Sequence, residues 1–168
     1  MPLQLPFTCA EMCAPADSNP NLESFDMTPD AYRDFPAKMS ALADATAFVE
    51  DFAGRCRIDH DDGLRLVLIV EELFTNTVTH GYGGDSEGTV RIALSSHDDA
   101  IELRFEDEAP RYDPLARLSR SPADIDARLE SQRPGGLGVH LVTQLTEGAR
   151  YAYEDCANRL WLVLRRRS

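Results

Sequence analysis

From Met39 onward, apolar residues recur at helical spacing. In MSALADATAFVEDFAGRC, residues Leu42, Ala45, Phe48, Val49 and Phe52 fall on one face, and Gly54 with the polar run after Cys56 ends the pattern. A second helix is predicted over about 61–80, capped by Asp61 or Asp62 and stopped by Gly81 and Gly83. The period then changes to two. Residues 89–95 place Val90, Ile92 and Leu94 on one face. Residues 101–107 do the same for Ile101, Leu103, Phe105 and Asp107, with 96–100 as the hairpin turn between the strands. The segment 108–135 is broken by Pro110, Pro114, Pro122 and Pro134 and reads as irregular, with a short amphipathic helix near 122–131. GGLGVHLVTQL opens a further helix. Two strands, 149–154 and 160–165, close the pattern around a turn at 155–158.

The order is helix, helix, strand, strand, variable loop, helix, strand, strand. Hairpins beside helices predict an α/β two-layer sandwich, with a mixed, mostly antiparallel sheet covered by helices on one face. A doubly wound dinucleotide fold is disfavoured, because it needs alternating strands and helices with a glycine-rich turn in the first unit. Residues 1–38 differ in character, holding six of the ten prolines and six acids against two bases. We read 1–22 as a flexible N-terminal tail and 23–168 as the domain, with a short strand within 23–35.

Composition narrows the function classes. Of the 168 residues, 43% are hydrophobic, enough for a core, yet no apolar run is long enough to span a membrane. The N-terminus shows no basic start followed by an apolar run, so a cytoplasmic protein is expected. A formal net charge of −12 disfavours nucleic acid and anionic membranes as partners. It leaves room for a nucleotide, which needs only a local site. Cys9, Cys13, Cys56 and Cys156 make no zinc spacing and are expected to be unpaired thiols.

Three segments carry candidate chemistry. In EELFTNTVTHGY, Glu72, Asn76 and His80 are four apart and share one helical stripe beside the buried face. A carboxylate, an amide oxygen and an imidazole there suit Mg2+ and a water or hydroxyl; an ordinary helix with a solvated polar edge is the alternative on spacing alone. Glu71 lies off that stripe and reads as a surface acid. Asp107 ends an otherwise apolar strand face, where a carboxylate is costly without a donor. The exocyclic amine of adenine is one such donor, and turn amides are another. In RPGGLGV, residues 133–139, Gly135, Gly136 and Gly138 precede a helix start and permit close backbone approach to polyphosphate. A simple tight turn is the alternative, and the P-loop pattern is absent. Arg111, Arg117, Arg120, Arg128 and Arg133 surround this segment, and one or two of them are expected to reach a γ-phosphate. His60, His97 and His140 read as structural or solvated.

Taken together, these segments resemble the histidine-kinase-like ATPase superfamily, which has the Bergerat-type ATP-binding fold. EELFTNTVTHGY is similar to its N box, FEDEAPRYDP to its first glycine box, GGLGVHLV to its second, and YAYEDCANRLWLVLRR to its closing hairpin. The resemblance covers about 39–166 and is nearest to the short anti-sigma-factor serine/threonine kinase branch. It implies Glu72 as general base, Asn76 as the Mg2+ ligand and Asp107 as the acceptor for the adenine amine. It also implies that His80, Ala109, Arg133, Gly135, Gly136, Leu137 and Gly138 line the nucleotide, under an ATP lid at about 112–134. The implied activity is ATP-dependent phosphorylation of a small anti-sigma-factor antagonist, with sequestration of a sigma factor by a homodimer. One departure stands out. Asp107-Glu108-Ala109 replaces the usual Asp-x-Gly, which puts a methyl group beside the adenine site and restricts the backbone if φ must be positive. A catalytically weak or inactive protein-binding module of the same fold is the alternative.

Overall fold

The computed structural model describes residues 28–113, 115, 142 and 144–167. Strand β1 (Ala31–Pro36) leads through a single 3-10 turn (Met39–Ala41) into α1 (Leu42–Arg55) and α2 (His60–Asn76). Strands β2 (Thr89–Ser96) and β3 (Ala100–Asp107) follow, and β4 (Gly148–Glu154) and β5 (Ala157–Arg165) come last among the described residues. The sheet order is β1-β2-β3-β5-β4. All its pairings are antiparallel.

Alternation decides which face of the sheet is covered. Along β3, every second residue is buried: Ile101, Leu103, Phe105 and Asp107. Val90, Ile92 and Leu94 of β2 and Leu160, Leu162 and Leu164 of β5 join them in one core. The helices close this face with Ala45, Val49 and Phe52 of α1 and with Leu66, Ile69, Val70, Leu73 and Phe74 of α2. Burying each large side chain contributes about 1.5–3 kcal/mol, so this apolar set fixes the register of the sheet and the rotation of both helices. The two-layer arrangement predicted from sequence is the one observed.

Four local features differ from the expected ones. Helix α2 begins at His60, and its cap is Asp59, whose side chain accepts from the Asp61 amide at 2.9 Å. Asp62 is instead only 1% exposed. It pairs with Arg65 at 2.7 Å and accepts from the Arg167 amide at 2.7 Å, tying α2 to the end of β5. At its other end, α2 stops as an α-helix at Asn76 and continues as a π-helical turn, Thr77–Gly81. The hairpin between β4 and β5 is tighter than the expected 155–158 turn. Asp155 and Cys156, at φ 52 and 62, make it alone, as two-residue hairpin turns of this hand require, and Asn158 therefore lies inside β5. Cys156 is disulfide-bonded, against the expectation of unpaired thiols. Its place in a partly exposed hairpin turn makes it accessible in a way that composition does not show. Cys56 is a free thiol.

The expected strand within 23–35 corresponds to β1. The tail over 1–22, the helix near 122–131 and nearly all of the lid over 112–134 lie outside the described residues.

Candidate nucleotide site

Where β3 ends, the chain has placed a carboxylate on the apolar face. Asp107 is 7% exposed. Its Oδ1 accepts from Asn158 Nδ2 at 2.8 Å and from the Ala109 amide at 2.9 Å. Its Oδ2 accepts, among the described residues, only from the Thr77 hydroxyl at 3.3 Å. Burial pushes the Asp107 carboxyl above its ordinary range, against the lowering effect of these three donors.

Asn158 organises the other side. Cross-strand pairing sets it directly opposite Asp107. Besides Asp107, its Nδ2 donates to the Ala109 carbonyl at 2.9 Å. Its Oδ1 accepts from the Tyr112 amide at 2.9 Å and from the Tyr151 hydroxyl at 2.8 Å. The amide is fully used on both ends, which fixes its orientation. Burial pushes the Tyr151 hydroxyl up to about 12, so it is a proton donor throughout the physiological range.

The π turn brings the end of α2 to this carboxylate. Thr77 reaches Asp107, and Tyr82 accepts from the Glu108 amide at 3.0 Å while donating to the Thr89 carbonyl at 3.3 Å. The Tyr82 ring lies over Gly88, where a Cβ would come within 2.5 Å of it. Gly81 faces Ala109: a Cβ on Gly81 would sit 3.1 Å from the Ala109 methyl. Ala109 is 2% exposed and is not among the positive-φ residues. Its methyl therefore fills space that Gly81 leaves, and its backbone is under no strain from the missing glycine.

A shallow cleft, open to solvent, runs between these parts. Leu73, Phe105 and Leu160 form its apolar floor, and Asn76, Thr77, Asp107 and Asn158 supply its polar groups. Tyr112 and Tyr151 add aromatic surface. Apolar walls with a few convergent polar atoms are the usual make-up of a small-molecule site.

Of the residues singled out from sequence, Asn76, Asp107 and Ala109 come together here. Glu72, half-buried, stands one helical turn before Asn76 and does not line the cleft. His80 is exposed and outside the lining, because the π turn breaks the four-residue stripe expected to carry it. Arg133, Gly135, Gly136, Leu137 and Gly138 lie outside the described residues. Thr77, Gly81 and Tyr151 belong to the site and were missed. Thr77 carried a faint signal, a polar residue beside Asn76 on the edge of the buried stripe.

The histidine kinase-like ATPase domain description matches residues 35–164, and the chain belongs to that family. Its relatives include the serine-protein kinase RsbW of Listeria monocytogenes, 26% identical over 71% of this chain and 77% of that protein. RsbW of Bacillus subtilis is 28% identical over 58% of this chain and 62% of that one. These relatives support the resemblance of the motifs to the anti-sigma-factor kinase branch. Among solved structures, the RsbU and RsbW domains of Rv1364c from Mycobacterium tuberculosis superimpose with a TM-score of 0.56 at 20% identity, over 84% of this chain and 33% of that one. A chain of the SiaB–SiaC complex from Pseudomonas aeruginosa gives 0.55 at 15% identity, over 82% of this chain and 89% of that one. Both share the fold. No helix among the described residues is long and apolar enough to cross a membrane.

Proposed function

We propose that this protein binds ATP in the cleft beside Asp107 and transfers its γ-phosphoryl group to a serine or threonine of a small anti-sigma-factor antagonist. The observation that carries this reading is the division of labour on Asp107. One oxygen accepts two short hydrogen bonds, and the other accepts, among the described residues, one long one. A buried carboxylate oxygen left short of donors is matched by the amine of adenine. The kinship to RsbW supports phosphoryl transfer to a protein.

Asn76 lies on the rim, where a polyphosphate leaving the base site would pass. Among the described residues, no group of three or more carboxylate, imidazole or thiolate side chains gathers to hold a metal by itself. Such a rim suits Mg2+, which is commonly held by one or two protein oxygens together with substrate phosphates. Asn76 would hold it, and the ion would supply charge neutralisation on the phosphates. Glu72, one turn away, orients or deprotonates the incoming hydroxyl. Gly135, Gly136, Leu137 and Gly138, with Arg133, line the phosphates. Sequestration of a sigma factor, action as a homodimer and a cytoplasmic setting belong to the same reading.

Calorimetric titration with Mg2+ and ATP tests it, followed by phosphorylation of a candidate antagonist. We expect binding by the wild-type chain and its loss in Asn76→Ala. Phosphate on the antagonist must then disappear in Glu72→Gln. Absence of binding at millimolar ATP overturns the reading.

A further inference from the structure

We propose that Thr77 is a further base-binding residue, donating a hydrogen bond to the ring nitrogen next to the amine that Asp107 accepts. This inference rests on the ATP-binding reading above. The geometry comes from three neighbouring atoms. A threonine near a helix end usually turns its hydroxyl back to the carbonyl one turn earlier, as Thr79 does toward Thr75 at 2.6 Å. Thr77 instead turns its hydroxyl to Asp107 Oδ2, and both residues line the cleft. The Thr77 methyl lies on the other side, 3.9 Å from where a Cβ on Gly81 would stand. Gly81 is in turn held close to Ala109. The methyl is thus packed against the π turn, and the hydroxyl is directed into the cleft.

At 3.3 Å the contact to Oδ2 is long for an O–H···O bond. The hydroxyl is therefore available to a ligand. Once an amine takes Oδ2, the Thr77 proton is free to turn toward the neighbouring ring atom. Oδ2 and the Thr77 hydroxyl then form an acceptor and a donor side by side. Adenine presents the complement on one edge, an amine donor beside the N1 acceptor. Guanine presents the reverse, a carbonyl acceptor beside an N–H donor, and would set its carbonyl against the Oδ2 acceptor, while the Thr77 hydroxyl, which can also accept, tolerates either base. Among the described residues, the Ala109 amide near this edge is already spent on Oδ1. Thr77, whose hydroxyl adjoins Oδ2, is placed to satisfy N1.

The test is a cycle between one protein atom and one ligand atom. Affinities for ATP and for 1-deaza-ATP, in which N1 is a C–H group, are measured by calorimetry on the wild type, Thr77→Val and Thr77→Ser. We expect the wild type to prefer ATP by about tenfold, the worth of one well-made hydrogen bond. Thr77→Val, of equal size, should bind both ligands alike, and Thr77→Ser should restore the preference. A general weakening of the fold would lower both affinities together and leave the ratio intact. An unchanged ratio in Thr77→Val, with ATP still bound, overturns the role of Thr77 and leaves the ATP-binding reading standing. No ATP binding by the wild type overturns both.

Discussion

At the scale of single residues, Asp107 holds two opposed demands. Its carboxyl is raised by burial, so in this respect the folded state holds a proton more readily than the unfolded chain. The corresponding contribution to stability is full below the unfolded pKa and is lost as pH rises through the folded one. Binding an amine needs the ionised form, so affinity runs the other way. ATP affinity should fall as pH drops through the raised Asp107 pKa, and the fall should begin at higher pH than an ordinary carboxylate would give; titrations at a series of pH values check this. Asp107→Asn separates the two demands. Its amide oxygen still accepts from Asn158 and Ala109, while its NH2 group opposes the adenine amine. We expect ATP affinity to drop about 10- to 100-fold, the worth of a charge-assisted bond. The melting temperature of the ligand-free protein at neutral pH should hold or rise.

At the scale of elements, the join between α2 and β3 decides whether the site exists. Gly81 and Ala109 share one volume. Gly81→Ala should cost about 1 kcal/mol or more through overpacking, and adding Ala109→Gly should recover most of it. Denaturant unfolding of both single mutants and the double mutant measures that coupling. This join also marks where sequence reading succeeds and fails. Asp107 was legible because strand alternation puts it on the buried face without any knowledge of its neighbours. Asn76 was legible from helical spacing. Both helices and the paired hairpins followed from periodicity, because a buried face imposes its period on the chain. His80 was misplaced because one wider turn, invisible in a list of residue types, ends the stripe after Asn76. The cap was expected at Asp61 or Asp62 and falls on Asp59, because Asp62 is engaged by Arg65 and the Arg167 amide, partners adjacent only in the fold. The departure at Ala109 looked like a defect in the chain, whereas its compensation, Gly81, is adjacent only in space.

At the scale of the molecule, Arg65 connects distant parts of the chain. It pairs with buried Asp62, and it donates to the Leu145 carbonyl at 2.6 Å and to the Arg165 carbonyl at 3.2 Å. Removing one member of a buried pair leaves the other uncompensated, at about 3–5 kcal/mol. Arg65→Met should therefore lower the melting temperature more than any surface substitution, as calorimetry would show. The net charge of −12 acts on the whole surface. Self-repulsion at low ionic strength is relieved by salt, so the melting temperature should rise as sodium chloride goes from about 0.01 to 0.15 M.

Asn158 has a consequence in time as well as in space. It reaches back 51 residues to Asp107, and it sits on the last strand of the sheet. A chain emerging from the ribosome in order has α2, Thr77 and Asp107 available long before Asn158 arrives. Until β5 docks, the carboxylate lacks its strongest donor and Tyr112 and Tyr151 lack their common anchor. Nucleotide cannot select for half-made molecules, because none of them has the site. It stabilises only molecules in which β5 has docked, by mass action, so ligand occupancy reports that the sheet has closed around Asp107.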